Sequence, residues 1–370
     1  MPTLEERYKA CILLHALGDT IGFRNTKWEF YGHKEFARQK ALDLEAASEI
    51  LYEFIAIGGI NGIDFKGWYV SDDTLLHKDV VSSLVEAKQS KKLDLQNIIE
   101  LVTAKFIKTK HKYFDNRVNI DRAPGHTTIK YIEKLKLGED IVSYNKFGGG
   151  NGAAMRSPVI GLVYHNDLAS LIRTSIEIGK LTHNSPIGYL GALNTAFFVY
   201  LALKGTHLHK WPYELVELLE SKTIIDIINK DADNQRDYTI FLNKWKKYIE
   251  LRFDADAIPQ SRRSFMNLKY RIQFYSDNFV DQEFNYIPGE SGYLVNIMAY
   301  DSLLDAEDKW EKLVVYSMLH IGDSDTVGCI AASWFGAKYG FSDVPKSNLT
   351  HLEFGEELTN LASEVYKLFK

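Results

Sequence analysis

Gly322-Asp323-Ser324-Asp325-Thr326-Val327-Gly328-Cys329-Ile330-Ala331-Ala332-Ser333-Trp334-Phe335-Gly336-Ala337 is the stretch on which the fold turns. It opens as an acidic, hydroxyl-rich turn, and such residues accept the orphan N–H groups of a helix start and suit its dipole. Behind the turn, Gly328, Ala331, Ala332, Gly336 and Ala337 keep one side of the helix small. The distance between packed helices is set by the side chains at the contact, so a small face invites close approach. The turn is therefore expected deep inside a helical protein, where a solvated cap would not need such a face.

Outward from this stretch the same period recurs. Residues 4–17 place Tyr8, Cys11, Ile12, Leu14 and Ala16 on one apolar face that stops at Gly18-Asp19. Residues 74–88, 95–107, 167–178, 186–203, 212–228 and 306–319 repeat the theme, with Pro186 and Pro212 where a first helical turn accepts proline. No run of alternating strands with hairpin turns interrupts them. The reading is all-α: a single compact orthogonal multi-helix domain over 1–370, with the polar segment 229–268 as a helical insertion or surface hairpin.

Lys and Arg number 44 against 49 Asp and Glu, a net charge of -5, which argues against broad nucleic-acid binding. Cys11 and Cys329 are too few for a disulfide framework or thiolate zinc site and read as buried free thiols. The acidic Met1-Pro2-Thr3-Leu4-Glu5-Glu6 start lacks a signal-peptide pattern, and the apolar run 187–203, broken by Asn194 and Thr195, falls short of a comfortable membrane span. A cytoplasmic monomer with no membrane or nucleic-acid partner is expected.

A second acidic turn, Ser71-Asp72-Asp73-Thr74, also starts a helix. Either turn alone reads as an N-cap. Together they are harder to explain so, because one cap needs one carboxylate and neighbouring carboxylates repel. Asp72, Asp73, Asp323 and Asp325 with the hydroxyls of Ser71 and Thr326 form an all-oxygen donor set, suited to Mg²⁺ or Mn²⁺. Glu29, in Lys27-Trp28-Glu29-Phe30, is a fifth candidate carboxylate.

Three loops carry the remaining signals. Phe147-Gly148-Gly149-Gly150-Asn151-Gly152-Ala153-Ala154-Met155-Arg156 lets backbone N–H groups approach an anion, and it is neither a P-loop nor a dinucleotide fingerprint. Arg122-Ala123-Pro124-Gly125-His126-Thr127-Thr128 offers a guanidinium and two hydroxyls, read as a diphosphate cradle or a charged surface turn. His183 precedes a Pro-initiated helix and reads equally as a structural histidine.

Taken in order, Gly18-Asp19-Thr20-Ile21-Gly22, Ser71-Asp72-Asp73-Thr74, Gly150-Asn151-Gly152-Ala153-Ala154-Met155-Arg156, Thr182-His183 with Pro186, and Gly322-Asp323-Ser324-Asp325-Thr326 resemble the ADP-ribosylglycohydrolase family. Lys27-Trp28-Glu29-Phe30, Arg122-Ala123-Pro124-Gly125, Tyr189-Leu190-Gly191-Ala192-Leu193 and Ala299-Tyr300-Asp301 look most like its ADP-ribosylarginine hydrolase branch. The resemblance implies an all-α fold with a binuclear Mg²⁺ cleft, ligated by Ser71, Asp72, Asp73, Asp323, Asp325 and Thr326. It implies catalytic roles for Asp72 and Asp73, with Glu29 close to the metals. It places His126, Thr127, Thr128, Gly149, Gly150, Asn151, Gly152, Met155 and His183 along the ADP-ribose cleft, and Ser291 and Gly292 on its adenosine side. The implied substrates are proteins mono-ADP-ribosylated on arginine, with ADP-ribose as product.

Asp19-Thr20 and Ile321-Gly322 depart from the family's commoner Asp-Ala and Gly-Gly, and neither change removes an acidic position. Asp323-Ser324-Asp325-Thr326-Val327 also resembles a haloacid-dehalogenase-type phosphatase motif, but that class needs an α/β sheet and downstream motifs. Two rivals remain open on sequence grounds: an ADP-ribose-binding protein without turnover, and a hydrolase of another linkage such as ADP-ribosylserine or O-acetyl-ADP-ribose.

Overall fold

The structure, a computed structural model, describes residues 2–31, 45–115, 120–136, 143–228, 230–260, 268–280 and 287–370. Among them are eighteen α-helices and no named strand, with two isolated bridges pairing Gly150 with Ser291 and Phe253 with Pro259. The all-α expectation holds.

At the centre, the helix Leu4–Phe23 lies against Ser324–Tyr339 with almost no side chain between them. A Cβ added at Gly22 would sit 2.3 Å from the Ser324 carbonyl oxygen, and one at Gly18 would sit 2.5 Å from that of Gly328. Gly18 was expected to stop the first helix. Instead the helix runs through it to Phe23, because these glycines serve close approach and not termination. The small face behind Asp323 thus has its partner, and the acidic turn is carried inside.

Other boundaries moved for local reasons. The segment 212–228 divides at Ser221, whose extended backbone separates Trp211–Glu220 from Lys222–Ile227. The segment 306–319 divides at Glu307, which sits at φ 55°, between Leu294–Ala306 and Trp310–Ser317. Asp167 caps Leu168–Lys180 by accepting from the Ser170 N–H.

Pro186–Leu203 is the one helix among the described residues long and apolar enough to cross a membrane, and 89% of it is buried within the protein. Around its Phe198 pack the rings of Trp211, Trp245, Tyr300 and Trp334. Trp245 comes from Ala232–Arg252, so the polar segment does not stand on the surface as a hairpin. Its helix buries Phe241, Trp245, Tyr248 and Arg252 in the core. Residues 229 and 261–267 of that segment lie outside the described residues.

Candidate functional site

The helix Asp72–Gln89 begins beside the first helix, and three side chains fix its start. Ser71 Oγ accepts from the Asp73 N–H at 3.1 Å as N-cap. Asp19 reaches across from Leu4–Phe23 and accepts from the Ser71 N–H (3.0 Å), the Thr74 N–H (3.1 Å) and the Thr74 hydroxyl (2.5 Å). Arg122 donates to the Val70 carbonyl and forms a two-pronged ion pair with Glu353, at 2.7 and 2.8 Å. Arg122 is buried, so it is no diphosphate cradle. Its guanidinium is consumed in bracing the Asp72 turn, whose N–H donates to the Arg122 carbonyl.

The second acidic turn meets the first. Asp323 caps Ser324–Tyr339, and its Oδ2 accepts from Asn151 Nδ2 at 2.7 Å. The same amide nitrogen donates to the Gly289 carbonyl, tying the glycine-rich loop to residue 289. Asp325 lies close enough to Glu29 and Asp73 for their charges to raise its pKa, after burial. The Cys329 thiol donates to Asp73 Oδ2 at 3.4 Å and to the Thr326 carbonyl. Both cysteines are free and buried.

Glu29 arrives on a loop of unusual backbone. Arg24, Asn25, Thr26 and Phe30 all have positive φ, between 45° and 69°. Such conformations persist only when the surroundings over-determine them, and they cluster at functional sites. Here the fully buried Trp28 anchors the loop against Phe54 and Trp68 and donates from Nε1 to Glu53. The Phe30 N–H donates to the Gly322 carbonyl. The loop is held at both ends, and Glu29, Asp323 and Asp325 bring carboxylate oxygens within 4.8 Å of one another.

Three acidic groups at that separation repel unless a cation or protons lie between them. Burial first, then the Asp323, Asp72 and Asp19 charges, pushes Glu29 well up, and Asp72 and Asp73 are raised in the same way. Asp19 is raised to about 6 by burial. Glu290 is raised to about 7 by burial and Asp323. The chemistry of the donors fits a hard divalent cation, which takes oxygen ligands.

Glu29, Asp72, Asp73, Glu290, Asp323 and Asp325 line a cleft of about 510 Å³, within the span of small-molecule sites. It brings together Glu29, Asp72, Asp73, His126, Thr127, Thr128, Gly149, Gly150, Asn151, Gly152, Met155, His183, Asp323, Asp325 and Thr326. The glycine loop is shaped from behind. Arg156, fully buried, donates to the Gly152 carbonyl at 2.6 Å and to Thr182 Oγ1. A Cβ at Gly152 would lie 2.7 Å from His183 Cε1, so only glycine lets the loop settle on that ring. His183, driven down to about 3 by burial and Arg156, is neutral.

Three expected residues stand elsewhere. Ser71 is fully buried as the cap and is not on the cleft wall. Ser291 Oγ accepts from the Leu294 N–H at the start of Leu294–Ala306, and Gly292 donates to the Gly149 carbonyl. Neither Ser291 nor Gly292 is among the described residues lining the cleft; their neighbours Glu290 and Tyr293 are. Sequence reasoning also missed Phe30, Lys146, Phe147, Asp237 and Ile240 as lining residues. Phe147, beside the glycine run, and Phe30, next to Glu29, had a local signal; the other three did not.

The sequence profile of the ADP-ribosylglycohydrolase family matches residues 1–370. The chain is 34% identical to a protein of Acanthamoeba polyphaga mimivirus provisionally named ADP-ribosyl glycohydrolase L444, over 94% of this chain and 67% of that one. It is 30% identical to ADP-ribosylhydrolase ARH1 of Dictyostelium discoideum, over 98% and 94%. A solved structure described as an ADP-ribosylglycohydrolase-related protein complex superposes with a TM-score of 0.58 at 15% identity, covering 99% of both chains.

Proposed function

The chain belongs to the ADP-ribosylglycohydrolase family, and from that premise we propose that it hydrolyses the N-glycosidic bond joining ADP-ribose to arginine side chains of mono-ADP-ribosylated proteins. One observation carries the arginine. Beyond the five carboxylic acids offered below as cation donors, the described lining of the cleft adds two more, Asp237 and Glu290, against one lysine or arginine, Lys146. A cleft of that sign favours a cationic leaving group such as a guanidinium.

Glu29, Asp323 and Asp325, with Asp72, Asp73 and Thr326, would hold the divalent cations. Two Mg²⁺ ions, or Mn²⁺ in their place, would when bound supply the positive charge that favours ribose hydroxyls and makes a water more acidic. The chain does the rest. Asp72 or Asp73 takes the proton of the attacking water, as a general base within hydrogen-bond reach must. The first turn of His126–Lys136, with Thr127 and Thr128, turns N–H and hydroxyl donors to the diphosphate. The loop Gly149, Gly150, Asn151 and Gly152 shapes the wall beside the ribose. We take the protein as a cytoplasmic monomer that yields free ADP-ribose.

The raised carboxyls give a test of cation binding without turnover. A carboxyl whose folded pKa exceeds its unfolded value binds more protons when folded. Its contribution is therefore fully present below about pH 4 and lost as pH rises through the folded value. For Asp19 that window closes near 6, and Glu29, Asp72 and Asp73 are raised in the same direction. The EDTA-treated protein is expected to lose thermal stability between about pH 5 and about pH 8. Mg²⁺ should raise Tm more at the upper end, where the repulsion it relieves is largest. An equal or smaller Mg²⁺ shift at the upper end would refute a cation among these groups.

The reaction itself is read by release of free ADP-ribose from an arginine-linked substrate and from an ADP-ribosylserine peptide, each with Mg²⁺ and with excess EDTA. Release from arginine alone, abolished by EDTA, is expected. Release from serine alone would move the specificity. Tight ADP-ribose binding with no release from either would leave a binding protein.

A further inference from the structure

Each carboxylate on the cleft wall has something to do, save one. Glu29, Asp323 and Asp325 make up the acidic triad. Asp73 accepts from Cys329, and Asp72 accepts from backbone N–H groups including that of Gly125. Asp237 accepts from Tyr144, Ser185 and Arg236. Glu290 lines the cleft half-buried, outside the triad, with no hydrogen-bond or ion-pair partner for its carboxylate among the described residues.

Its backbone is nevertheless fixed with care. The Glu290 carbonyl accepts from the Asn151 N–H at 2.9 Å. Gly289 before it, at φ 100°, accepts from Asn151 Nδ2, the same amide that reaches Asp323. A Cβ at Gly289 would lie 2.9 Å from Asp323 Cβ, so the strap rests directly on the acidic turn. Ser291 after it pairs with Gly150. A rigid strap thus presents a spare carboxylate beside the reacting centre. Holding such a charge half-buried and unpaired is unfavourable, and a planar cation with two parallel N–H donors is its best complement.

We propose that Glu290 is the acceptor for the guanidinium of the departing arginine, and so selects the linkage that is cleaved. The inference rests on the arginine reading of the cleft and adds the residue that recognises the leaving side. Glu290 would bind the guanidinium in substrate and in product alike, while the acidic triad and Asp72 and Asp73 serve the ribose side.

The test uses the full-length protein saturated with ADP-ribose and Mg²⁺, and titrates in agmatine as a guanidinium probe and n-butylamine as a non-planar cation. Wild type should bind agmatine in preference to n-butylamine, and Glu290→Gln should weaken agmatine about 10–100-fold, the range for losing a charge-assisted pair. Affinity for ADP-ribose and the Mg²⁺-dependent rise in Tm should be unchanged in the variant, which also shows that it folds. Unchanged agmatine binding in Glu290→Gln overturns the proposal. So does a loss of ADP-ribose affinity or of the Mg²⁺ effect, which would make Glu290 a ribose or metal ligand. Because the readout is binding, it is separate from turnover: a wild type that binds agmatine through Glu290 but releases nothing from arginine would defeat the hydrolase reading alone.

Discussion

Replacing Asp72 and Asp73 together by asparagine is expected to abolish ADP-ribose release while leaving the fold intact or slightly more stable. Removing a general base costs about 10²–10⁴-fold on its own. These two residues are also offered as cation donors, so the double variant should fall to the background rate. Stability should move the other way. Both carboxyls are pushed well up by burial and by the Asp19 and Asp323 charges, so the folded protein is strained by their ionisation. Asparagine keeps the shape and an acceptor oxygen and removes the repulsion. In EDTA near neutral pH the variant's Tm should therefore equal or exceed that of wild type, and the stabilisation by Mg²⁺ should shrink. The measurements are kcat/KM on arginine-linked ADP-ribose and Tm with and without Mg²⁺. Near-normal turnover sinks the assignment; lost turnover with a lowered Tm in EDTA shows instead that the pair holds the fold.

That combination, poor electrostatics at a well-built turn, also explains what the sequence could show. Two acidic turns and a small helix face were legible because each violates a local preference: one cap does not need two carboxylates, and a surface helix does not need five small residues in register. Their meeting point was not legible from composition or period, since it depends on Leu4–Phe23 lying against Ser324–Tyr339 at glycine contacts. The same contact misled the boundary at Gly18, because a glycine that admits a neighbour and one that ends a helix look alike in sequence. Arg122 reads as a diphosphate cradle from its chemistry, and the family resemblance puts Ser291 on the adenosine side of the cleft. Both are spent on framework, Arg122 by Glu353, some 230 residues away in the chain, and Ser291 at the start of a helix. Glu290 lies in the loop 289–293, which the sequence marks as an interruption of the helical pattern, but nothing in the sequence singles the glutamate out within it. Only the strap through Asn151 and Gly289 gives it a direction.

Asp301→Asn is expected to destabilise the protein by about 3–5 kcal/mol, the usual cost of breaking a buried ion pair by removing one partner. Asp301, fully buried on Leu294–Ala306, takes four donors: the Tyr248 hydroxyl and Arg252 Nε on one oxygen, the Tyr275 hydroxyl and Arg271 Nη2 on the other. Arg252 and Arg271 are almost completely buried as well and share a second carboxylate, Asp305. Without the Asp301 charge, two interior guanidiniums face one partly exposed acid. Burial alone would raise the Asp301 carboxyl, but Arg252 and Arg271 outweigh it and hold it below the usual carboxylate range. Its contribution is thus present above the unfolded carboxyl value and lost as pH falls through the folded one, the reverse of the cleft carboxyls. Wild type and Asp301→Asn should therefore differ most in Tm near neutral pH and converge in acid. Ala299-Tyr300-Asp301 is one of the segments that mark the arginine branch, yet Asp301 and Tyr300 are core residues. Branch likeness here is partly likeness of framework. Activity per folded molecule, normalised to ADP-ribose binding sites, should accordingly stay within about twofold of wild type, since surviving fold and not chemistry limits the yield. A large fall in kcat/KM at full site occupancy, with little change in Tm, would instead tie this network to the cleft at the other end of its helix.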